Sequence, residues 1–354
     1  MKKTLVFIVI LALCAGLCGC GKGPFESGGE GIEIVTTVFP AYDFAREIAG
    51  ERAKVTLLVP PGSEAHSFEP TPQDIIRVQN CDLLFCNGGE SEAWLEEILS
   101  GLESGISALR MLDCVEALAE EFKEGMQSAG EAHEHEAHEE HEEHEEHEEH
   151  EEHEEHEEHE EHEEHEEHEE HEEHEEHEPE YDEHVWTSPV NAALICQALC
   201  RRLCEIDPAG AAVYEANCAA YVKALEDLDG AFRRVLDHSA RRTLIFADRF
   251  PVRYFVEEYG LDYFAAFPGC ADDAEPSAKT VAFLIDRVRE ENVPAVFYIE
   301  FSNEKMANII CEDTGCKKLL FHSCHNVTAR QLQNGVSYLE LMRGNVESLK
   351  EALG

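Results

Sequence analysis

At 354 residues and a net charge of −50, with 77 Asp and Glu against 27 Lys and Arg, the chain is a strong polyanion. Thirty-three of those acids fall between residues 131 and 183, where there is no Lys or Arg; without that stretch the charge is −17, ordinary for a soluble protein. No basic stripe appears, so nucleic acid is excluded as a partner, because phosphate would be repelled.

Residues 1–19 read as a secretory signal: Lys2 and Lys3, an apolar run Leu5–Leu13, then small residues. The run is too short to span a membrane as a mature helix. It ends Leu17-Cys18-Gly19-Cys20, which resembles the lipobox of bacterial lipoproteins. That resemblance implies cleavage before Cys20 and lipidation of its thiol; Cys14 and Cys18 fit the pattern less well, and a plain cleaved signal is the simpler competitor. Residues 20–31 are then a Gly-rich flexible tether.

The next segment, 32–130, alternates strands and helices. Ile32–Val38 is β-branched and alternating, a strand; Pro40–Ala49 is a helix, and Val55–Val59 a second strand entering the turn Pro60-Pro61-Gly62. Thr71-Pro72-Gln73-Asp74 is a helix start, with Thr71 as cap, Pro72 in the first turn and Asp74 reaching back. Asp82–Phe85 is a buried strand ending at Asn87-Gly88-Gly89, and Glu90–Leu99 a helix. This order predicts a parallel sheet covered on both faces.

Residues 131–180 interrupt that pattern. His-Glu-Glu repeats with a period of three, and no apolar residue follows Ala137, so the tract has nothing to bury and is expected to be a disordered insertion. Its histidines are His133, His135, His138, His141, His144, His147, His150, His153, His156, His159, His162, His165, His168, His171, His174 and His177, 16 of the chain's 21. In an extended chain successive ones are about 9 Å apart, too far to share an ion held at about 2 Å. In a helix, residues at i and i+3 are neighbours and can chelate, but two Glu in every three oppose that helix. The tract is therefore expected to be extended without metal and to compact as weakly bound ions neutralise it. A protease reading fails on spacing, because H-E-x-x-H needs His at i and i+4.

Beyond the tract, 181–207 closes the first lobe with a helix Pro189–Cys204, and 208–240 holds one long amphipathic pattern, Pro208–His238. About 30 helical residues would reach about 45 Å, enough to bridge two lobes. In 241–354 the alternation resumes: strand Thr243–Ala247, helices Pro251–Tyr259 and Pro276–Glu291, strand Ala295–Ile299, helix Asn303–Thr314, strand Lys318–Phe321, and a last helix from about Gly335 to Leu353. The fold class is α/β: two lobes, each a mostly parallel sheet flanked by helices, joined by one long rigid helix. Of 14 Cys, 11 would survive processing and lipidation, an odd number without any C-x-x-C. That is no disulfide framework. Cys196, Cys200 and Cys204 share a helix face and read as small core residues; so many free thiols on an exported chain point weakly to a reducing habitat.

Five histidines lie outside the tract. His66, in VPPGSEAHSFEPTPQD, follows a strand at the end where α/β sheets place ligands; alone it would more often be a surface His. His184 stands in DEHVWTSPVNA, and His322 and His325 flank Ser323-Cys324 just after an apolar strand. His238 sits late in the long helix and reads as solvated.

VPPGSEAHSFEPTPQD, NGGESEAWLEEIL, the His-rich insertion, DEHVWTSPVNA and RYFVEEYGLDYFAAFPG, in that order, resemble the metal-binding lipoproteins of bacterial ABC uptake systems, most closely the zinc type. The resemblance covers nearly the whole mature chain. It implies one ion held between two α/β lobes, with His66 and His184 as ligands from the first. From the second lobe it implies Asp248, where relatives usually offer a third His or a Glu, although Arg249 beside it could instead make Asp248 a structural ion pair. For the last ligand it implies His322, with His325 and Glu300 as second choices. Three His and one carboxylate suit Zn²⁺ in a closed tetrahedral site; Mn²⁺ favours more oxygen and is the second choice, while Ca²⁺ leaves the imidazoles unexplained.

The resemblance also implies delivery to an ABC permease with its ATPase, a lipid anchor on the outer face of the cytoplasmic membrane, a monomer, and no covalent chemistry. Competing readings are a surface zinc-storage or adhesion protein and a metal-dependent hydrolase; the latter needs an open coordination position beside a general base.

Overall fold

The computed structural model describes residues 25–26 (backbone only), 31–63, 65, 68–101, 105–127, 180–269 and 276–354. Cys20, His66 and the His-Glu tract lie outside the described residues.

The first lobe is built on a sheet of order β1-β3-β2-β4-β5. Its strands are β1 (Phe25–Glu26), β2 (Ile32–Thr36), β3 (Ala53–Leu57), β4 (Leu83–Cys86) and β5 (Ala108–Arg110). β1 runs antiparallel at the edge and the other pairings are parallel. Side chains of a strand alternate between faces, and here both faces are apolar. Ile34, Leu83 and Phe85 enter the large core, whereas Val35, Leu84 and Cys86 enter a smaller one with Val78 and Leu95. Those last two residues belong to α2 (Pro72–Asn80) and α3 (Ala93–Ser100), while α1 (Phe39–Ala49) covers the other face. The expected helix start at Thr71 is present as a capping box: Asp74 N–H donates to Thr71 Oγ1 at 3.3 Å and Thr71 N–H to Asp74 Oδ2 at 2.9 Å.

The chain then crosses over. Gln127 N–H donates to Ala266 O at 2.9 Å and Gln127 Oε1 accepts from Ser277 N–H at 2.7 Å, so residues just before the tract lie against the second lobe. Just after it, Glu120 N–H donates to Glu180 O at 2.8 Å and Ala119 pairs with Tyr181, stitching the two ends together. α4 (Pro189–Ile206) starts at the Ser188 cap, and α5 (Ala211–Asp237) is the long helix. Its 27 residues extend about 40 Å. A separate tight turn, Pro208–Gly210, precedes it, so the helix is slightly shorter than its sequence pattern.

The second lobe has strand order β7-β6-β8-β9, all parallel: β6 (Thr243–Phe250), β7 (Asp262–Pro268), β8 (Ala295–Tyr298) and β9 (Lys317–Leu320). Around it lie α6 (Arg253–Tyr259), α7 (Ala278–Glu291), α8 (Lys305–Thr314), the short α9 (Ala329–Gln333) and α10 (Tyr338–Leu353). β7 was not legible in the sequence, because Asp262–Pro268 is Ala- and Phe-rich, lacks β-branched residues and ends in Pro. The last helix starts at the Ser337 cap rather than near Gly335.

The lobes share one core. α5 packs on α1 and α4 from the first lobe and on α10 from the second. At that junction Asp43 of α1 is fully buried, with Oδ1 2.6 Å from Arg46 Nη2. Its Oδ2 accepts from Tyr221 Oη of α5 at 3.0 Å and from Tyr338 N–H of α10 at 2.9 Å. Phe44 lies edge-on to both tyrosine rings, 5.9 and 5.1 Å between centroids.

Burial outweighs the pull of Arg46 and raises the Asp43 carboxyl to about 6. An unfolded Asp titrates near about 3.9, so folding favours the protonated form; the contribution is fully present below about pH 4 and is lost as pH rises through about 6. Asp43→Ala strands two buried donors and Arg46, and should cost about 3 kcal/mol in urea unfolding. The stability gap between the native chain and Asp43→Asn should move in the native chain's favour as pH falls from about 7 to about 4, and a gap independent of pH would contradict this assignment.

Candidate metal centre

The carboxyl ends of the two parallel sheets enclose a cavity of about 20 Å³. A cavity of about 10–15 Å³ already admits a water, so this one is of ion size. Its lining includes Ser63 and His184 from the first lobe and Arg249, Glu300, Ser323 and His325 from the second.

His184 is fixed by its own segment. Asp182 N–H donates to Leu118 O at 2.9 Å, and Asp182 O accepts from Tyr254 Oη of α6 at 2.8 Å. Asn87 Nδ2 donates to Glu183 O at 2.9 Å, and Thr187 Oγ1 donates to His184 O at 2.8 Å. Glu183 is held by Ser91, whose N–H donates to Oε1 at 2.9 Å and whose hydroxyl meets Oε2. Gly89 (φ +96°) leaves room for that carboxylate: a Cβ there would lie 2.5 Å from Glu183 Oε1.

The His184 ring is buried, with Nδ1 3.2 Å from Asp182 Oδ1. A carboxylate on Nδ1 fixes the proton there and leaves the Nε2 lone pair for a ligand, the arrangement that backs metal-binding histidines. Burial lowers the affinity of this ring for a second proton, but the charge and hydrogen bond of Asp182, with help from Glu183, outweigh burial and raise its pKa; Arg249 opposes them. Gly269 lines the cavity because a Cβ would meet Phe250 O at 2.9 Å and Asp182 Oδ2 at 3.2 Å.

From the second lobe, His325 faces His184 with 5.5 Å between ring centroids, and Trp186 lies 5.5 Å from each. Two imidazoles on one tetrahedral zinc, with N–Zn of about 2.0–2.1 Å, place their centroids about 5 Å apart. The observed spacing is therefore within reach of a shared ion. Glu300 lines the cavity with its carboxylate held by Ser323, N–H to Oε2 at 2.8 Å and Oγ to Oε1 at 2.5 Å. The turn that presents His325 places Cys324 in the left-handed region (φ +65°), as Phe301 is after Glu300 (φ +63°). Strained backbone of this kind persists only where surrounding structure determines it. Here Asn326 does so across the lobes, donating to Pro60 O at 2.9 Å and Ser63 O at 2.6 Å, while Phe39 N–H donates to His325 O at 3.3 Å.

The residues expected first from the second lobe are placed otherwise. Asp248 is half-buried and is not in the cavity lining. It accepts Arg249 N–H at 2.9 Å and Ile299 N–H at 3.3 Å, and its neighbour in the lining is Arg249. The cause is a bulge: from Phe246 to Arg249 β6 takes three steps while β7 takes two, Ala265 to Phe267. One extra residue reverses which side chains face the cavity. His322 is also displaced. Its Nδ1 accepts from Cys324 N–H at 3.0 Å, and its backbone is clamped by Asn345, so its ring proton is on Nε2. The second choices, His325 and Glu300, line the cavity instead. His238 is exposed and bonded through Nδ1 to Arg234 O at 2.7 Å. Among the described residues no three His, Cys, Asp or Glu converge closely enough to hold a metal; His66 is not among them. Sequence reasoning missed Arg249 as a cavity residue and the support given by Ser323 and Asn326.

Residues 34–352 match the ZnuA family, described as zinc-uptake complex component A, periplasmic. The chain belongs to that family. Among ZnuA-family relatives, it is 28% identical to the high-affinity zinc uptake system protein ZnuA of Bacillus subtilis, over 99% of this chain and 98% of that protein. It is 25% identical to the zinc-binding lipoprotein AdcA of Streptococcus pneumoniae, over 99% of this chain but 61% of the longer AdcA. In fold it is similar to the Zn(II)-bound ZnuA-like domain of S. pneumoniae AdcA, with a TM-score of 0.66 and 23% identity over 92% of this chain and 99% of that one. It is also similar to the metal-dependent lipoprotein YcdH of B. subtilis, with a TM-score of 0.67 and 23% identity over 91% and 99%.

The hydrogen bonds assign opposite tautomers to two histidines. In metal-free protein above the imidazole pKa, long-range ¹H–¹⁵N spectra should show His184 protonated on Nδ1 and His322 on Nε2. The same tautomer at both rings would remove the basis for choosing between them.

Proposed function

We propose that this chain is an exported solute-binding protein that captures Zn²⁺ between its lobes and hands it to an ABC permease driven by its ATPase. Membership of the ZnuA family supports the transport role. The observation that carries the site is His184, backed by Asp182 and facing His325 and Glu300 across an ion-sized cavity. Among the described residues these three do not yet converge on one point; drawn together on Zn²⁺ they would supply two nitrogens and one oxygen. His66 is the fourth donor, as the resemblance implies; Ser63, three residues before it, lines the cavity on the loop pinned by Asn326. Three imidazoles and a carboxylate favour zinc over ions that prefer all-oxygen sites.

The chain's own part in capture is positional. Asp182 keeps one His184 nitrogen unprotonated, Ser323 aims Glu300, and Trp186 with the buried lobe junction limits water. Zinc loading then displaces only the second proton that His184 holds at lower pH. The remaining parts of the reading rest on sequence. Cys20 carries a lipid that keeps the monomer at the outer face of the cytoplasmic membrane, and the His-Glu tract gathers zinc weakly beside the tight site.

Calorimetric zinc titration of the mature chain should give one tight site and several weak ones, with the weak ones lost and the tight one kept when residues 131–180 are deleted. His184→Ala, His325→Ala, Glu300→Gln and His66→Ala should each weaken the tight site, and Asp182→Asn should weaken it about 10–100-fold. Asp248→Asn should leave it nearly unchanged; a loss there as large as for Glu300→Gln would overturn the assignment.

A further inference from the structure

The second lobe carries another pair of reactive groups at the far end of β9. Cys311 lies in the last turn of α8 and Cys316 just before β9, with 3.4 Å between their sulfurs. The metal cavity is reached from the opposite end of that four-residue strand, which extends about 13 Å at about 3.3 Å per residue. The turn joining the two cysteines is held by its own bonds. Gly315, at φ +77°, donates its N–H to Cys311 O at 2.9 Å. Thr314 Oγ1 donates to Ile310 O at 2.7 Å and accepts from Cys316 N–H at 3.3 Å. The sulfur contact is therefore a property of a fixed helix end. Both side chains are half-buried against an apolar cluster of the second lobe that includes Val296 and Ile310, and exposed Glu312, Gly315 and Lys317 flank them. Cys196 and Cys324, by contrast, are fully buried.

We propose that Cys311 and Cys316 form an intramolecular disulfide by exchange with an oxidised disulfide, whether a protein or a small molecule. An S–S bond of about 2.05 Å requires the sulfurs to close by about 1.4 Å, a matter of side-chain rotation. The exchange balances in two steps. The Cys316 thiolate attacks one sulfur of the incoming disulfide, forming a mixed disulfide and releasing one thiolate, which takes up the proton Cys316 lost. Cys311 then loses its proton to that medium, attacks the Cys316 sulfur and releases the second thiol. Two thiols are oxidised and one external disulfide is reduced to two thiols.

The order of attack follows from the site. Burial, then the hydrogen bond and charge of Cys316, push the Cys311 thiol up to about 12. Once Cys316 is capped by the mixed disulfide, its charge is gone, so Cys311 becomes easier to ionise at the moment it must attack. The inference rests on the export of the ZnuA family, since oxidising compartments are where such bonds persist, and not on the metal site.

The test equilibrates the mature chain with excess oxidised glutathione, quenches it in acid, alkylates it unfolded and maps its peptides without reduction. The peptide spanning Cys311 and Cys316 should be two hydrogens lighter and unalkylated, and should appear before any product at Cys196 or Cys324. In Cys311→Ser, Cys316 should accumulate glutathione as a stable mixed disulfide. Zinc titration should give the same tight site before and after oxidation, which separates failure here from failure of the transport reading. Recovery of both thiols alkylated, of one glutathione on each, or of Cys316 joined to another cysteine would overturn the proposal.

Discussion

Asp43 is the carboxylate on which the relation between the two lobes depends. It is buried where three helices meet, and each contributes a different partner: Arg46 from its own helix, the Tyr221 hydroxyl from the long helix, and the Tyr338 amide from the last one. A buried charge is tolerated only if its partners are supplied with good geometry. Relative rotation of the lobes about the long helix would pull Tyr338 from Asp43 and leave that charge short of a donor. The apolar packing around Phe44 then acts with the polar knot rather than independently of it. The second lobe is thereby held in register with the first.

That register is what gives the cavity meaning, since its walls come from separate sheets. Parallel strands all end on the same side, so each lobe offers a row of loops, and facing the two rows brings residues distant in sequence into one crevice. Several straps cross it near the site: Asn326 to Pro60 and Ser63, Phe39 to His325, and Tyr254 to Asp182. Each joins a candidate donor or a residue within three of one, so the candidate donors are positioned by the same bonds that close the lobes. At short range the Asp182 charge favours a protonated His184 ring and Arg249 opposes it.

The lobes, the long helix and His184 were legible because each is signalled locally. Apolar runs between turn residues mark strands, a breaker-free amphipathic stretch marks α5, and DEHVW carries its backing carboxylate two residues from the imidazole. In the second lobe the segments that wall the cavity were legible, but not which of their residues line it. Placing Arg249 rather than Asp248 in the cavity wall requires knowing that β6 bulges, and a single extra residue in a strand leaves no compositional mark. Placing His325 rather than His322 in the cavity wall requires knowing that Cys324 adopts a left-handed conformation, which turns the chain between them. β7 was hidden for a related reason, since DYFAAFP is read as a strand only once β6 is beside it.

The stitch between Ala119 and Tyr181, with the Glu120–Glu180 hydrogen bond, bears on how such a chain can diverge. The tract is inserted between segments that this stem joins, and the entropy of closing a longer loop grows only logarithmically with its length, about 0.6 kcal/mol per doubling. Copy number of a three-residue unit can therefore drift through replication slippage without transmitting strain to the imidazole on the far side of the stem.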